Sequence, residues 1–428
     1  MILPHRRATL SPARLRADPW SELGRLHALP GDAVRARAGR TRILYLKAPE
    51  PIDDLLVRRA DSLIKVNSIT TPRLRRERFA SLGRLLSSDD RSEHLPTRKA
   101  LTPRFSNAAS ASGLAEVVAE LVDGLVASMA DAGTSDVGEL AEPFAVEVIA
   151  RTVFSGVEFD AQAANTDIAD VLAYERLFQP GNATSTPSAE QAVGRLISAF
   201  TGIAEAESPE ASVPAIVKRV AAGFDLDTAA VARTILVVYA AGTETTAPAL
   251  TFALAHLAHD RDLQEWVRDE CRAVLGDSPP GAADVDRLPR ARAVFAEVLR
   301  LYPPSWYIAR AAAEDVEVGG ARLAAGDVGL ICQYHLHRDE RFFRRPLEFH
   351  PARFLDDEMA RRTYLPFGAG RRQCLGEKLA WTEGTLLVAA CSQALELTAA
   401  GDLPQPRPLA SIQPDRPVVV RARRRSGG

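Results

Sequence analysis

The sequence predicts a mainly α-helical fold with a small β-sheet region, built as one large domain over residues 1–428. Two observations carry that prediction. Apolar residues recur with a helical period through most of the chain beyond residue 115, whereas strand-like runs are short and few. No internal repeat, low-complexity stretch or Pro/Gly-rich linker divides the chain, so no domain boundary stands out.

Residues 1–18 are expected to form a flexible tail. Arg42–Leu46 (RILYL) reads as a strand. Helical patterning covers Ala115–Met129 and Leu140–Val153 and continues through 190–222. Thr228–His259 is the longest periodic stretch, with Asp227 placed to cap it. Two more helices are expected at Asp262–Leu275 and Arg290–Leu301. After Pro303 the pattern changes to short strands, Val316–Val318, Arg322–Leu323 and Val328–Cys332. Turns at Gly319-Gly320 and Gly326 make these a small sheet. A last long helix begins just after Cys374 and runs to about Leu395. Val418–Ala422 is strand-like, and residues 424–428 are expected to fray.

Hydrophobic residues make up 46% of the chain and charged residues 25%, which excludes a largely disordered protein. Basic residues number 53 and acidic residues 55, a net charge of −2. Neither nucleic acid nor an anionic membrane is therefore an expected partner. The four cysteines include no CxxC pair and are too few for a disulfide scaffold, so a reducing cytoplasm is expected. The N-terminal stretch MILPHRRATLSPARLRADPW has no apolar run long enough for a signal peptide or membrane anchor. A soluble, cytoplasmic monomer is the expectation.

Chemistry concentrates in two segments. Residues 367–376 read FGAGRRQCLG, three glycines around Cys374, followed by an amphipathic helix with Leu379, Ala380, Leu386, Leu387 and Ala390. A thiolate ligand needs a lowered pKa and shielding. A helix start offers free N–H groups and the positive dipole end, and glycines let the backbone close on the sulfur and lie flat against a planar ligand. Residues 234–258, TILVVYAAGTETTAPALTFALAHLA, are apolar almost all round, with a polar notch at Gly242, Glu244, Thr245 and Thr246. Such a helix is buried or spans a membrane, but an unpartnered mid-helix Glu disfavours a span. Pro248 cannot donate to the Glu244 carbonyl, and the Thr245 hydroxyl can bond back to the carbonyl of Ala241. A local distortion there, forming a groove for water or dioxygen, is expected.

These motifs resemble those of the cytochrome P-450 family. Phe367, Gly370, Arg372, Cys374 and Gly376 match its FxxGxRxCxG pattern; a chance match in this chain is on the order of 10⁻⁴, so Cys374 is set apart from Cys271, Cys332 and Cys391. Ala241, Gly242, Glu244, Thr245 and Thr246 match its (A/G)Gx(D/E)T(T/S) pattern. Further upstream, His94, Arg98, Pro103 and Phe105 match HxxxRxxxxPxF. Glu297 and Arg300 form its ExxR pair, and FHPARF nominates Arg353 as their partner. The resemblance runs in order from about residue 80 to 420; Arg372 stands where many bacterial members have His.

The resemblance implies a cytochrome P-450-like domain holding non-covalent haem b (iron protoporphyrin IX), with Cys374 as the iron's axial ligand. A thiolate ligand favours O–O cleavage. Phe367, Gly368, Gly376 and Ala241 would border the haem; His94, Arg98, Arg310 and Arg372 would hold its propionates. Glu244 and Thr245 would relay protons to bound oxygen. Glu297, Arg300 and Arg353 would form a structural ion-pair network that holds the cysteine loop. His335, His337 and His350 are close in sequence, but His337-Arg338-Asp339 resembles a structural turn of the family rather than a metal site.

The implied activity is monooxygenation of an apolar small molecule, in secondary metabolism, using O2 and electrons from a ferredoxin and its reductase. Family position places the substrate pocket near Leu63–Leu74, Tyr174–Phe178, Val237–Ala241, Ser305–Ile308 and Ser411–Gln413. The residues nominated are Val237, Val238, Ala241, Trp306, Tyr307, Ile308 and Ile412, which suit a large flat or terpenoid molecule. Arg371 and Lys378, with Lys99, Arg344 and Arg345, nominate a docking patch for an acidic ferredoxin. Alternatives are the same fold performing nitration, phenol coupling or peroxide-driven oxidation, or a non-catalytic haem protein. The Glu244-Thr245 pair argues against a peroxide-only enzyme, and no segment is left over for a sensor's output module.

Overall fold

The structure, a computed structural model, describes residues 8–65, 91–105, 113–174, 187–356 and 363–425. At its centre lies the helix Thr228–His259, which starts where the Asp227 side chain accepts a hydrogen bond from the Ala230 N–H at 2.8 Å. That bond satisfies one of the donors every helix start leaves open. All residues from Thr246 to Ala258 are buried. Helices Val137–Thr152, Pro187–Glu205 and Glu377–Ala394 pack around this one, which explains its apolar circumference. Among the described residues no helix is long and apolar enough to cross a membrane. The helix is unbroken through Pro248; the expected distortion is confined to hydrogen bonding.

The expected run over 190–222 is two helices, Pro187–Glu205 and Val213–Ala222. Pro209 lies between them, and Ser212 caps the second. The first third also holds a helix that the periodicity passes over, Pro19–His27, and the helix Arg91–Phe105, one face of which the i, i+4 spacing of His94 and Arg98 indicates.

Six strands form the main sheet, in the order Ala8–Leu10, Ala33–Ala38, Thr41–Leu46, Val328–Ile331, Ile308–Ala312 and Leu63–Lys65. Thr41–Leu46 runs parallel to Val328–Ile331, so the expected late sheet is divided. Val328–Ile331 joins the N-terminal strands, whereas Val316–Val318 and Ala321–Leu323 form a separate hairpin. Pairing of Lys65 with Arg310 brings two cations to one edge of the site described below.

Both expected tails need correction. Ala8–Leu10 pairs in parallel with Ala36–Ala38, and Pro12–Ala17 is a helix capped by Ser11 with Leu15 fully buried. Pro at the first helical turn and a Ser cap suffice to start that helix. At the other end, strand Val419–Arg424 pairs with Leu395–Ala399, and Arg425 reaches Glu265 at 2.6 Å. Residues 1–7 and 426–428 lie outside the described residues.

Glu297 and Arg300, both 0% exposed, form a bidentate pair at 2.7 and 2.8 Å. Arg353 adds a contact to Glu297 at 3.1 Å, and the His350 N–H donates to the same carboxylate at 2.8 Å. The remaining Arg300 donors reach the carbonyls of His337, Pro346 and Glu348. Arg353 likewise donates to the carbonyls of Arg344 and Arg345. His337, held neutral because burial lowers its pKa to about 3, donates through Nδ1 to the Arg300 carbonyl and accepts from the Leu365 N–H at 3.0 Å. The network therefore reaches the first residues of the cysteine loop. Removing the one anion would leave two guanidinium groups buried without a counter-charge. Glu297→Ala is expected to lose roughly 3–5 kcal/mol of stability, measured by urea unfolding; an unchanged midpoint would refute this account of the network.

Candidate functional site

A cavity of about 500 Å³ opens between the central helix and the cysteine loop, within the usual range of about 300–1000 Å³ for small-molecule and cofactor sites. Pro366, Phe367, Gly368, Arg372, Cys374, Leu375 and Gly376 form one wall. Val237, Val238, Ala241, Gly242, Thr245 and Thr246, from the central helix, form another. Ser305, Tyr307, Ile308 and Arg310 close an edge, with Lys65 beside Arg310.

The loop is shaped around Cys374. Its N–H donates to the Phe367 carbonyl at 2.8 Å, folding the chain into a tight arch, and helix Glu377–Ala394 starts just beyond, with Gly376 as its cap. Gly370 has φ +69°, and a Cβ there would lie 2.1 Å from the Leu56 carbonyl oxygen; only glycine fits. Cys374 is exposed at the cavity wall, with protein packed closely behind the sulfur. Burial raises its pKa, opposed by the Gly376 N–H and by the Arg98 guanidinium.

Across the cavity, the Thr245 hydroxyl donates to the Ala241 carbonyl at 2.8 Å, the back-bond expected from the sequence. Gly242 lets helix Val137–Thr152 approach: a Cβ there would lie 2.4 Å from Ile149 Cδ1, and Ile149 also lines the cavity. Glu244 does not line it. Its Oε1 accepts from the Ser411 hydroxyl at 2.5 Å, and burial raises its pKa to about 7.

His94 and Arg98 share helix Arg91–Phe105. His94 is buried and its Nε2 lies 3.3 Å from the Arg371 carbonyl, so it braces the cysteine loop from behind. Burial lowers the Arg98 pKa, and its charge acts on Cys374. Three expectations fail. Trp306 is fully buried away from the cavity, donating through Nε1 to the Leu409 carbonyl at 3.1 Å and packing edge-on against Trp20. Ile412 is turned into the core, its N–H bonded to the Pro304 carbonyl. Arg371 is not an open docking cation: its side chain is 15% exposed and pairs with Asp61 at 2.9 Å. Of the pocket segments, 66–74 and 175–178 lie outside the described residues.

The Cytochrome P-450 family profile matches residues 218–420. Cyclooctat-9-en-7-ol 5-monooxygenase of Streptomyces melanosporofaciens is 29% identical over 402 residues, 85% of this chain and 82% of that protein. The chain is similar to members of the cytochrome P-450 family over most of its length. Cyclooctatin synthase of the same organism is 40% identical over 182 residues, covering 42% of this chain and 40% of that protein. Pentalenene oxygenase of Streptomyces avermitilis is 31% identical over 198 residues, 45% and 44% respectively. The chain thus spans under half the length of two of these three relatives. A zebra fish cytochrome P-450 solved with progesterone shares the fold, with a TM-score of 0.81 at 24% identity over 95% of this chain and 99% of that one.

The P-450 fold uses a cysteine-ligated haem b, and the cavity fits that group. A single thiol faces an otherwise largely apolar slot, as an iron with one soft ligand requires. Lys65, Arg310 and Arg372 supply cations at its margin for the two carboxylates of the porphyrin.

Glu383 escaped sequence reading. It lines the cavity yet is 2% exposed, with Oε2 unbonded, and burial raises its pKa to about 8. The available signal was an acid on the apolar face of helix Glu377–Ala394, four residues beyond Leu379. Its linkage has a definite sign. The folded protein keeps the Glu383 proton between the ordinary value of 4.5 and about 8, whereas the unfolded chain releases it. Stability therefore falls as pH rises through that window and levels above it. Glu383→Gln is expected to gain on the parent protein steadily from pH 5 to 8 in urea unfolding; parallel stability profiles would contradict this.

Proposed function

We propose that the chain is a haem-thiolate monooxygenase that inserts one atom of O2 into an apolar small molecule. One observation carries this reading: the Cys374 thiol and the Thr245 hydroxyl open into the same apolar cavity from its two walls. When bound, the haem supplies dioxygen activation and oxygen-atom transfer.

Cys374 would hold the haem iron, oriented by its N–H bond to Phe367 and tuned by the Gly376 N–H at its sulfur. Arg310, Arg372 and Arg98 would hold the propionates, and His94 would brace the cysteine loop through the Arg371 carbonyl. Ala241 and Gly242, with small side chains at the cavity wall, would leave room there for dioxygen and substrate. Thr245 holds a proton at Oγ1 where the cavity meets the helix, and Glu244 supplies protons from outside it. An acid with a pKa of about 7 exchanges protons readily at neutral pH. Val237, Val238, Ile149, Tyr307 and Ile308 exclude water and contact substrate.

The apolar lining, together with bacterial relatives named for cyclooctatin and pentalenene, supports a terpenoid substrate within secondary metabolism. Electrons would come from a ferredoxin and its reductase, docking near exposed Lys99, Lys378, Arg344 and Arg345. The protein would act as a single-domain cytoplasmic monomer.

Cys374→Ser is expected to abolish the red-shifted Soret band that a cysteine-ligated haem gives when reduced and bound to CO; its survival would remove Cys374 from the iron. Thr245→Ala is expected to keep consuming reductant while product per electron pair falls roughly 100-fold. Undiminished coupling in a product assay would exclude Thr245 from proton delivery.

A further inference from the structure

Pro248 has no N–H, so the main-chain carbonyl of Glu244 lacks the donor that a helix normally provides. Ser411 stands beside it, in the hairpin formed by Pro406–Pro408 and Ile412–Pro414. Its Oγ lies 2.5 Å from Glu244 Oε1 and 3.4 Å from the Glu244 carbonyl oxygen. Gln413 Nε2 lies 2.8 Å from the same Oγ.

Chemistry fixes the direction of each bond. An amide NH2 only donates, so Ser411 Oγ accepts from Gln413. An ionised carboxylate only accepts, so the one Ser411 proton goes to Oε1. When Glu244 is protonated, its O–H can donate to the second Ser411 lone pair, and the Ser411 proton can turn to the Glu244 carbonyl. One hydroxyl then satisfies either state of the acid, and Gln413 keeps it aligned.

The hydroxyl is rigidly placed. Ser411 is 1% exposed, the Ile412 N–H is bonded to the Pro304 carbonyl, and the Ser411 carbonyl accepts from Leu409 N–H. Trp306 pins Leu409 through its indole N–H. The groups acting on the Glu244 carboxyl are the Ser411 hydroxyl, the Ser411 N–H and the Gln413 amide; among the described residues no ion pair to Glu244 occurs.

We propose that Ser411 and Gln413 are positioning residues for Glu244, a neutral two-state latch that holds the acid in both protonation states beside the central helix. The proposal rests on reading Glu244 as the proton-supplying acid. A charged partner would lock the carboxylate ionised and resist its protonation. A hydroxyl that can reverse its bond does not, so the carboxyl can cycle. Ser411 opposes the burial that raises the acid, so removing it raises the acid further.

Infrared difference spectroscopy of the haem-loaded protein, with Glu244→Gln identifying the band, follows the Glu244 C=O stretch across pH. Ser411→Ala is expected to raise the titration midpoint by about one unit, the worth of one charge-assisted hydrogen bond. Ser411→Thr should restore it, and Gln413→Leu should raise it less. A Ser411→Ala midpoint equal to the parent's overturns the proposal. Should that variant not fold, Gln413→Leu decides, an unmoved band and midpoint again overturning it. Product yield per electron in Glu244→Gln tests the acid's own role: undiminished yield removes proton supply from Glu244 but leaves the infrared shift of Ser411→Ala standing.

Discussion

The cysteine loop depends on a carboxylate that performs no chemistry. Glu297 has two guanidinium partners and a main-chain N–H, and the Arg300 and Arg353 donors reach main-chain carbonyls between residues 337 and 348. A buried ion pair is weak support for stability when considered alone, because desolvation offsets its Coulomb gain. Here its value is geometric. It gathers an irregular segment that has no ladder of its own and passes the constraint through His337 to Leu365. From there the arch runs to Phe367 and Cys374, where the Gly370 backbone comes against Leu56. A thiol placed this way needs no movement to meet a ligand in the cavity.

The opposite wall is governed by a different constraint. A helix buried on all sides from Thr246 to Ala258 tolerates polar groups only where each finds a partner. Thr245 bonds to the Ala241 carbonyl, and Ser411 takes up the Glu244 carboxylate. Pro248 removes one N–H without breaking the helix, because neighbouring elements hold the backbone in place. The polar notch is thus a satisfied network bordering an apolar cavity, and among the described residues no cation pairs with its acid.

Large aromatic and cationic residues near the cavity divide by what they support. Trp306 and Ile412 secure the hairpin bearing Ser411, and Arg371 ties the cysteine loop to Asp61 and Leu63. All three shape the site without facing it. Arg310 and Lys65 come together because adjacent strands pair across the six-stranded sheet.

Much of this was legible in the linear sequence. The central helix begins and ends at Thr228 and His259 as its period and Asp227 cap indicated. The back-bond of Thr245 followed from its i−4 geometry, and Cys374 from a glycine-rich loop before an amphipathic helix. These are local properties, set by backbone sterics, capping and side-chain reach within a few residues. Other features needed the fold. Ser411 meets Glu244 across 167 positions, and strands 41–46 and 328–331 pair although about two thirds of the chain separates them. Glu383 shows its lost solvation only when helix Glu377–Ala394 packs, and Trp306 turns inward because Trp20 covers it. Sequence alone determined which residue types stand at which helical positions; tertiary packing decided which face solvent, cavity or one another, because burial and long-range partners exist only once the chain has closed.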